Sequence, residues 1–338
     1  MAEAGKRLEA AVAQGVVPGA VAVVGDAEHT SRVGAYGVTR LGGPAVTEAT
    51  RYDLASLTKV VGTLPAVLAL AEAGELSLDD PVRRFFSQAG WMQKPSLGDA
   101  TLRQLLTHTA GLPAWKPLFA SASDRLSALG NTLQTRLEHP AGRVVYSDLG
   151  FILLGATVER VSGVTLDAFT QTHVFGPLGM TETAYGVPDG VVVAATEDCG
   201  WRGRLLEGEV HDENAYVFGG VAGHAGLFGT ARDLARYAQA WLRLDAPFAS
   251  PERLLDATRE HARGEGQGES RRALGWLVSS EGGSTTYGHT GFTGTSLWLD
   301  PAAGRFAVLL TNRVHPSRSC GEGIGALRAA FHGAVFGR

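Results

Sequence analysis

Residues 52–59 read Tyr-Asp-Leu-Ala-Ser-Leu-Thr-Lys, and an apolar run follows them to Leu70. An extended approach through Tyr52, a turn of small residues and then helical spacing predict that Ser56 lies at the start of a helix. Unpaired backbone N–H groups and the positive end of the helix dipole favour developing negative charge there. Because Lys59 follows three residues later on the same helix face, its amine is predicted to reach the Ser56 hydroxyl.

Lysine is rare in the chain, which gives the Ser56–Lys59 spacing some weight. With four lysines and 18 serines in 338 residues, Ser-x-x-Lys is expected by chance about 0.2 times. The alternative is a serine that caps a helix and a lysine that is solvated. Leu57, Val60 and Leu64 leave little room for a purely surface helix, so Lys59 is predicted to be partly desolvated.

The composition describes a globular chain with a large buried core, since 44% of 338 residues are hydrophobic and 19% are charged. A net charge of -4 and the lack of a dense basic patch argue against nucleic-acid binding. Cys199 and Cys320 indicate neither a disulfide framework nor a zinc ribbon. The first residues lack the apolar core of a secretory signal, and no apolar run approaches about 18 residues. We expect a cytoplasmic protein without a membrane segment.

Strand-like segments lie near both ends of the chain, whereas helical spacing dominates the middle. These segments are 19–24, 30–38, 272–279, 284–289, 296–300 and 305–311. The pattern predicts an α+β fold (an α/β sandwich): a mostly antiparallel sheet from both chain termini, flanked by helices, with an inserted all-α region. We expect residues 1–60 and 246–338 to form the α/β domain and 61–245 a mainly helical domain, with the active site in the cleft between them. The Gly- and Glu-rich segment 263–269 is predicted to be a mobile loop.

Two further segments carry polar residues that are candidates to act with Ser56. Tyr146-Ser147-Asp148 opens a predicted helix over 149–161, where a tyrosine alone is more often a core residue with a satisfied hydroxyl. Residues 287–294 end one strand and turn into the next, and their glycines indicate a close approach of backbone to another group. His289 in that segment is equally consistent with an ordinary strand-end histidine. The residues by themselves leave these alternatives open.

Together, the three segments resemble the active-site motifs of the penicillin-binding protein and serine β-lactamase superfamily. The motifs are Ser56-Leu57-Thr58-Lys59, Tyr146-Ser147-Asp148 and His289-Thr290-Gly291, in the family's order. The likeness is nearest to the branch of class C β-lactamases, D-alanyl-D-alanine carboxypeptidases and family VIII carboxylesterases. It covers nearly the whole chain, and further similar stretches are 74–81, 105–113 and 219–227.

The resemblance implies a serine hydrolase that forms an acyl-enzyme on Ser56. Lys59 and Tyr146 would share the role of base, because a nearby ammonium lowers a tyrosine pKa from about 10 and desolvation lowers a lysine pKa from about 10.4. The backbone N–H groups of Ser56 and Phe292 would bind the oxyanion. The remaining substrate-binding residues would be Asp148, His289, Thr290 and Gly291.

Two positions depart from the family pattern. Asp148 stands where the family usually has Asn, and an ionised carboxylate cannot donate a hydrogen bond to an acylamino carbonyl. His289 stands where most β-lactamases have Lys, and a neutral imidazole supplies less positive charge for a substrate carboxylate. Both changes favour small carboxylic esters or amides, with weak β-lactam hydrolysis or binding as a side activity. The alternatives are a D-alanyl-D-alanine carboxypeptidase, a class C-type β-lactamase, and a catalytically inactive binding protein on the same fold.

Other site chemistries find less support. His211-Asp212-Glu213-Asn214 and His224 supply zinc-ligand types, but helical His-x-x-x-His spacing and paired cysteines are missing, so we predict no metal. An α/β-hydrolase would need a Gly-x-Ser-x-Gly elbow, which none of the serines has. We expect a small-molecule ester, amide or β-lactam as substrate and no cofactor.

Overall fold

The structure is a computed structural model that describes residues 2–90, 93–264, 270–279 and 285–337. Most of the segment predicted to be a mobile loop, 263–269, lies outside these ranges. The strands are β1 (Gly19–Asp26), β2 (Thr30–Gly37), β3 (Tyr52–Asp53), β4 (Ala184–Tyr185), β5 (Asp198–Cys199), β6 (Arg204–Leu205), β7 (Leu227–Gly229), β8 (Ala262–Arg263), β9 (Arg271–Arg272), β10 (Leu277–Ser279), β11 (Thr286–Thr290), β12 (Ser296–Asp300) and β13 (Arg305–Thr311). The α-helices are α1 (Ala2–Ala13), α2 (Leu64–Glu72), α3 (Leu102–Leu106), α4 (Arg125–Leu133), α5 (Asp148–Ser162), α6 (Leu166–Thr170), α7 (Glu213–Val217), α8 (Ala231–Arg243), α9 (Pro251–Thr258) and α10 (Ile324–Phe336).

One large antiparallel sheet has the strand order β2-β1-β13-β12-β11-β10-β9-β8. Strands from opposite ends of the chain lie side by side in it. Ala20 of β1 pairs with Thr311 of β13, and Asp26 pairs with Arg305. The predicted fold class, an α+β sandwich whose antiparallel sheet is drawn from both termini, is confirmed.

Alternate residues of β1 point to opposite faces of the sheet and enter two different cores. Val21 and Val23 belong to the larger core, which continues into the helical region. Ala20, Ala22 and Val24 belong to a smaller core beneath α1 and α10. Helices therefore cover both faces of the sheet, which explains why β1 is an apolar run rather than an alternating one.

Helix α8 packs on β1 and β13. It lies within 61–245, the segment assigned from sequence to a helical domain. In the same segment, α5 is the central helix, with α2, α3, α4 and α6 packed around it. The boundaries of the two domains stay a prediction.

Across the described ranges, no single helix combines the length and apolar composition that a membrane crossing requires. One bent pair, Asp148–Ser162 with Leu166–Phe175, meets that test by length and composition when its members are taken together.

A small second sheet holds the start of the Ser56 segment. Strand β7 lies between β3 and β4, with Tyr52 opposite Gly229. The next backbone N–H, that of Leu54, donates to the carbonyl of Leu227 at 2.9 Å. The chain therefore reaches Ser56 from a fixed direction.

Candidate active site

The three motifs meet at one cavity of about 710 Å³. Seven of the eight residues predicted from sequence line it, and the eighth, Lys59, is fully buried and bonded to Ser56. The seven are Ser56, Tyr146, Asp148, His289, Thr290, Gly291 and Phe292. The structure thus brings the whole predicted set together, while the role of each residue stays a prediction.

The turn that presents Ser56 is held by a buried carboxylate. Asp53 accepts the backbone N–H of Ala55 at 2.8 Å and that of His211 at 2.7 Å. Ala55 has a φ of 46°, a conformation that non-glycine residues rarely adopt outside constrained sites. Ser56 follows at once and precedes the π-helical turn Lys59–Thr63, so its hydroxyl lies at the cavity wall.

The Lys59 ammonium contacts three oxygen atoms, two through hydrogen bonds and one through an ion pair. Its Nζ lies 3.0 Å from Ser56 Oγ, 3.1 Å from the carbonyl oxygen of His224 and 2.7 Å from Asp148 Oδ1. Burial by itself lowers the pKa of Lys59, but the Asp148 carboxylate and Tyr146 raise it, and the net pKa lies above its ordinary value. Lys59 is therefore an ammonium ion in the free protein.

Tyr146 lies between two histidine rings. Its ring centroid is 4.6 Å from that of His108 and 5.8 Å from that of His289, and Lys59 Nζ lies 5.0 Å from it. Burial raises the pKa of Tyr146. The Lys59 charge lowers this pKa and the Asp148 carboxylate raises it, and the net pKa lies above its ordinary value. The phenol is therefore neutral in the free protein.

The expectation that both pKa values fall is wrong for the free protein. Desolvation acts on Lys59 in the predicted direction, but the contact with the Asp148 carboxylate outweighs it. The Lys59 charge acts on Tyr146 as predicted, but burial of the phenol outweighs it. The pKa of Lys59 rises instead of falling because of the Asp148 carboxylate, and Asp148 is one of the two residues that depart from the family pattern.

His289 supplies no positive charge to the cavity. Its Nδ1 lies 2.8 Å from the carbonyl oxygen of Thr290, and its Nε2 has no hydrogen-bond partner among the described residues. Burial, with the charges of Lys59 and Arg272, holds the pKa of His289 well below its ordinary value. The imidazole is therefore neutral, as the sequence led us to expect.

Hydrogen bonds tie the segment that follows the third motif to the residues that precede Ser56. Thr293 Oγ1 donates to the carbonyl of Asp53 at 2.8 Å, and Thr295 Oγ1 donates to that of Leu54 at 3.1 Å. Gly291 fits between these segments because it has no side chain: a Cβ there would lie 2.6 Å from the Leu54 carbonyl oxygen and 2.1 Å from Thr295 Oγ1. The third motif can therefore approach the Ser56 turn closely.

Two arginines hold the backbone around Phe292. Arg328 Nη2 donates to the Gly291 carbonyl at 2.6 Å, and Arg313 Nε donates to the Phe292 carbonyl at 2.7 Å. Because the Gly291–Phe292 peptide is trans, the Phe292 N–H points away from Arg328. This is the N–H predicted to bind the oxyanion. The Phe292 side chain is 50% exposed and stacks on His211 at 5.7 Å.

Arg272 lines the cavity although the sequence did not point to it. The residue is only 7% exposed, and its guanidinium carbon lies 5.2 Å from the Tyr146 ring centroid. Its Nε and Nη1 have no partner within the part of the chain that the structure describes. The sequence could have indicated this residue, because two adjacent arginines precede an apolar strand. Side chains alternate between the two faces of a strand, so one of the two arginines must point inward.

The histidines considered as zinc ligands each pair with one carboxylate instead. His224 Nε2 lies 2.8 Å from Asp212 Oδ1, and His211 Nε2 lies 3.0 Å from Glu197 Oε2. No group of three or more His, Cys, Asp or Glu residues in the described ranges is arranged to hold a metal ion.

Comparisons with known proteins agree with this geometry. A family model described as Beta-lactamase matches residues 5–330. A protein of Escherichia coli (strain K12) named "Putative D-alanyl-D-alanine carboxypeptidase" is 33% identical over 309 residues, which cover 80% of this chain and 70% of that protein. The octameric penicillin-binding protein homologue from Pyrococcus abyssi has a TM-score of 0.80 at 22% identity, over 99% of this chain and 77% of that one. A class C beta lactamase from Rhodobacter sphaeroides has a TM-score of 0.78 at 20% identity, over 99% and 100% of the two chains.

The family match spans nearly the whole chain, and the Escherichia coli relative is similar over most of both sequences. The solved structures share the fold at lower identity. These findings confirm the resemblance that the three motifs indicated. The chain therefore belongs to the beta-lactamase family, within the superfamily of serine β-lactamases and penicillin-binding proteins.

Proposed function

We propose that the protein is a serine acyl hydrolase in which Ser56 forms the acyl-enzyme. The observation that carries this proposal is the 3.0 Å contact between Ser56 Oγ and the Nζ of a fully buried Lys59, at the wall of a large cavity. A serine that only capped a helix would accept a backbone N–H. A hydroxyl that instead contacts a buried amine and lines a cavity supports the role of nucleophile.

Acylation requires the Lys59–Tyr146 pair to lose one proton. Both groups hold their protons in the free protein, so the reactive form is the one with one proton fewer on this coupled pair. That form accepts the Ser56 proton as Oγ bonds to the carbonyl carbon, while the N–H groups of Ser56 and Phe292 stabilise the oxyanion. The proton then passes to the leaving group as its bond to that carbon breaks. Water releases the acyl group by the same route.

Arg272 supports a substrate whose leaving group carries a carboxylate. A buried guanidinium without a carboxylate partner is costly, and a substrate anion would offset that cost. The preference for neutral substrates drawn from the sequence rested on Asp148 and His289. Of these two arguments, Arg272 offsets the second, because it supplies the charge that a neutral His289 lacks. We therefore favour the carboxypeptidase alternative, with a D-alanyl-D-alanine peptide as the substrate class.

Hydrolysis of short-chain esters is a second candidate, and Asp148 favours it. Its carboxylate is paired with Lys59 at 2.7 Å and cannot donate to an acylamino carbonyl. A peptide or β-lactam loses one contact there, whereas a simple ester has no acylamino group to satisfy.

Labelling separates an enzyme from an inactive binding protein. We expect the wild type to take up a fluorescent fluorophosphonate covalently and Ser56→Ala to take up none. A Ser77→Ala variant changes an exposed serine and serves as the control. Labelling of Ser56→Ala at the wild-type rate would exclude Ser56 as the nucleophile.

A matched pair of substrates tests the leaving group. An N-acyl-D-alanyl-D-alanine peptide and its C-terminal amide differ only in the carboxylate. We expect kcat/KM to be about 100-fold higher for the acid, and Arg272→Gln to remove most of this preference. Arg271→Gln is the control, because Arg271 is the adjacent strand residue and pairs with Glu260 instead. Equal rates for acid and amide in the wild type would leave the ester hypothesis as the better one.

A further inference from the structure

A second cavity lies beside the catalytic one, between helix α10 and strands β10 to β12. Its volume is about 380 Å³. Thr290 and Arg328 border both cavities, so the two share a wall. The mechanism above assigns this second space no role. The lining residues that matter here are Thr290, Trp298, Arg328, Ala329, His332 and Phe336.

Arg328 brings an incompletely bonded positive charge to this wall. Its Nη2 donates to the carbonyls of Gly291 and Thr295 at 2.6 and 2.8 Å, but its buried Nε has no partner in the described residues. None of the described residues that border this cavity is acidic. Burial, together with the nearby Arg313, lowers the pKa of Arg328 to about 10, so it stays charged at neutral pH. An anion in the cavity would offset the cost of this buried charge.

His332 offers a second donor on the same helix face. It follows Arg328 by four residues, which places the two side chains next to each other. Its Nε2 lies 2.9 Å from Ser296 Oγ, whereas its buried Nδ1 has no partner among the described residues. Burial and the Arg328 charge lower the pKa of His332 to about 3, so the ring is neutral. When the Ser296 hydroxyl donates to Nε2, the ring proton is on Nδ1, and that nitrogen is then a donor.

Aromatic rings form the apolar part of the cavity. The Trp298 ring centroid lies 6.3 Å from that of His332, and the Phe336 ring lies 6.2 Å from His332 at an interplanar angle of 10°. Flat apolar faces beside polar donors suit a ligand with a polar head and a small apolar body.

We propose that this second cavity binds a small organic carboxylate with a short aromatic or aliphatic body. The carboxylate pairs with the Arg328 guanidinium beside His332, and the body packs against Trp298 and Phe336. A carboxylate is the favoured polar group because its negative charge pairs with the Arg328 guanidinium, while the neutral His332 ring lies beside it. The site is distinct from the catalytic cavity and touches it through Arg328.

Occupancy is expected to slow acylation. The Arg328 charge polarises the Gly291–Phe292 peptide through the Gly291 carbonyl, which strengthens the Phe292 N–H as a donor. A carboxylate on Arg328 neutralises much of that charge and weakens the oxyanion site. This effect on rate rests on the proposed function, whereas the binding itself does not.

Calorimetric titration of the full chain with 3-phenylpropionate tests the site, with 3-phenylpropionamide as the neutral counterpart. We expect the acid to bind with a Kd on the order of 1 mM and the amide about tenfold more weakly. Ala329→Phe fills the cavity and should abolish binding. Ala326→Phe, at an exposed position of the same helix that does not line this cavity, and Arg272→Gln, in the catalytic cavity, should not. Arg328→Gln should remove the preference for the acid, with thermal unfolding confirming that this variant is folded.

Equal affinity for acid and amide would overturn the proposal, and so would unchanged affinity in Ala329→Phe. Loss of binding in Arg272→Gln would also overturn it, because that result would place the ligand at the catalytic cavity. Saturating acid should also lower kcat/KM for a p-nitrophenyl ester in the wild type but not in Ala329→Phe. An unchanged wild-type rate with intact binding would reject the coupling and keep the site. Failure of Ser56 labelling would reject the proposed function without affecting the titration.

Discussion

Replacing Asp148 by Asn isolates the effect of one carboxylate on the catalytic pair. Asp148 Oδ1 lies 2.7 Å from Nζ of the buried Lys59. Burial alone would lower the pKa of Lys59, and Asp148 more than offsets it. Asn keeps the shape of the side chain but carries no charge, so the pKa of Lys59 should fall. The base should then lose its proton at lower pH, and the acid limb of the rate profile should move to lower pH.

The size of the effect follows from the separation of the charges. Two unit charges 2.7 Å apart attract by about 6 kcal/mol at an effective dielectric constant of about 20. The Asp148 side chain is 18% exposed, so solvent and local relaxation reduce this value. A quarter of it, about 1.5 kcal/mol, still changes the ratio of neutral to charged amine about tenfold. We expect kcat/KM at pH 7 to rise by about tenfold in Asp148→Asn.

The assay is kcat/KM for p-nitrophenyl acetate between about pH 5 and 10. This ester has no acylamino group, so the side-chain amide introduced by Asp148→Asn gains no substrate contact that would mimic the effect. Asp189→Asn, at an exposed aspartate outside the cavity lining, controls for the loss of one negative charge from the protein. An acid limb that stays in place would refute the reasoning. So would a uniform loss of rate at every pH, because that would make Asp148 a positioning group only.

Three further predictions concern stability. Glu197 is buried between His211 and Arg318; burial alone would raise the pKa of Glu197, but these partners lower it. Its stabilising effect is therefore complete above the ordinary value of 4.5 and is lost as pH falls towards the lowered pKa. Glu197→Gln should reduce the free energy of unfolding by about 3 kcal/mol at pH 7, and by progressively less below pH 4.5, in urea titrations; a constant difference would contradict this. Gly223→Ala should destabilise the fold by about 3 kcal/mol or more, because a Cβ would lie 2.0 Å from the Phe151 carbonyl oxygen. Gly130→Ala, in helix α4 with nothing within 4 Å, should instead raise Tm, since alanine gains about 0.5–1 kcal/mol there.

The local parts of the site were predictable from the sequence. Three residues of helical spacing bring Lys59 to Ser56, and the contact of 3.0 Å agrees with this. The longer terminal strands, β1, β2, β11, β12 and β13, were recognisable because each is a run of five or more residues that contains apolar or β-branched side chains. The extended approach through Tyr52 was expected and is strand β3, but the sequence did not indicate that β3 pairs with β7, the contact that fixes the approach to Ser56. An alternating pattern of side chains can be recognised only over several residues, whereas two residues are enough to pair with a neighbouring strand.

Contacts between distant segments were not predictable in this way. Asp148 was recognised as a side chain that cannot donate, but its ion pair with Lys59 depends on how α5 packs beside the Ser56 segment. Arg272 was invisible for a similar reason: alternation requires one of two adjacent arginines to face inward, but only the pairing of β9 with β10 decides which cavity it meets. The predicted pKa directions failed because they considered Lys59 with desolvation alone and Tyr146 with the Lys59 charge alone, without the Asp148 carboxylate and the burial of the phenol.

Three charged residues that contact Tyr146 or Lys59 explain how two departures from the family pattern fit together. Asp148 adds a negative charge that the Lys59 ammonium compensates, and the neutral His289 removes a positive charge that Arg272 restores. Lys59, Asp148 and Arg272 then sum to one positive charge in the free protein. A substrate with one carboxylate brings this inner set to neutrality, whereas an uncharged ester leaves the buried Arg272 without a carboxylate partner among the described residues. If that balance governs selectivity, Asp148→Asn should speed up ester hydrolysis without removing the preference for acid over amide. Arg272→Gln should remove that preference without speeding up ester hydrolysis. A single variant that changed both properties together would show that the two charges do not act independently.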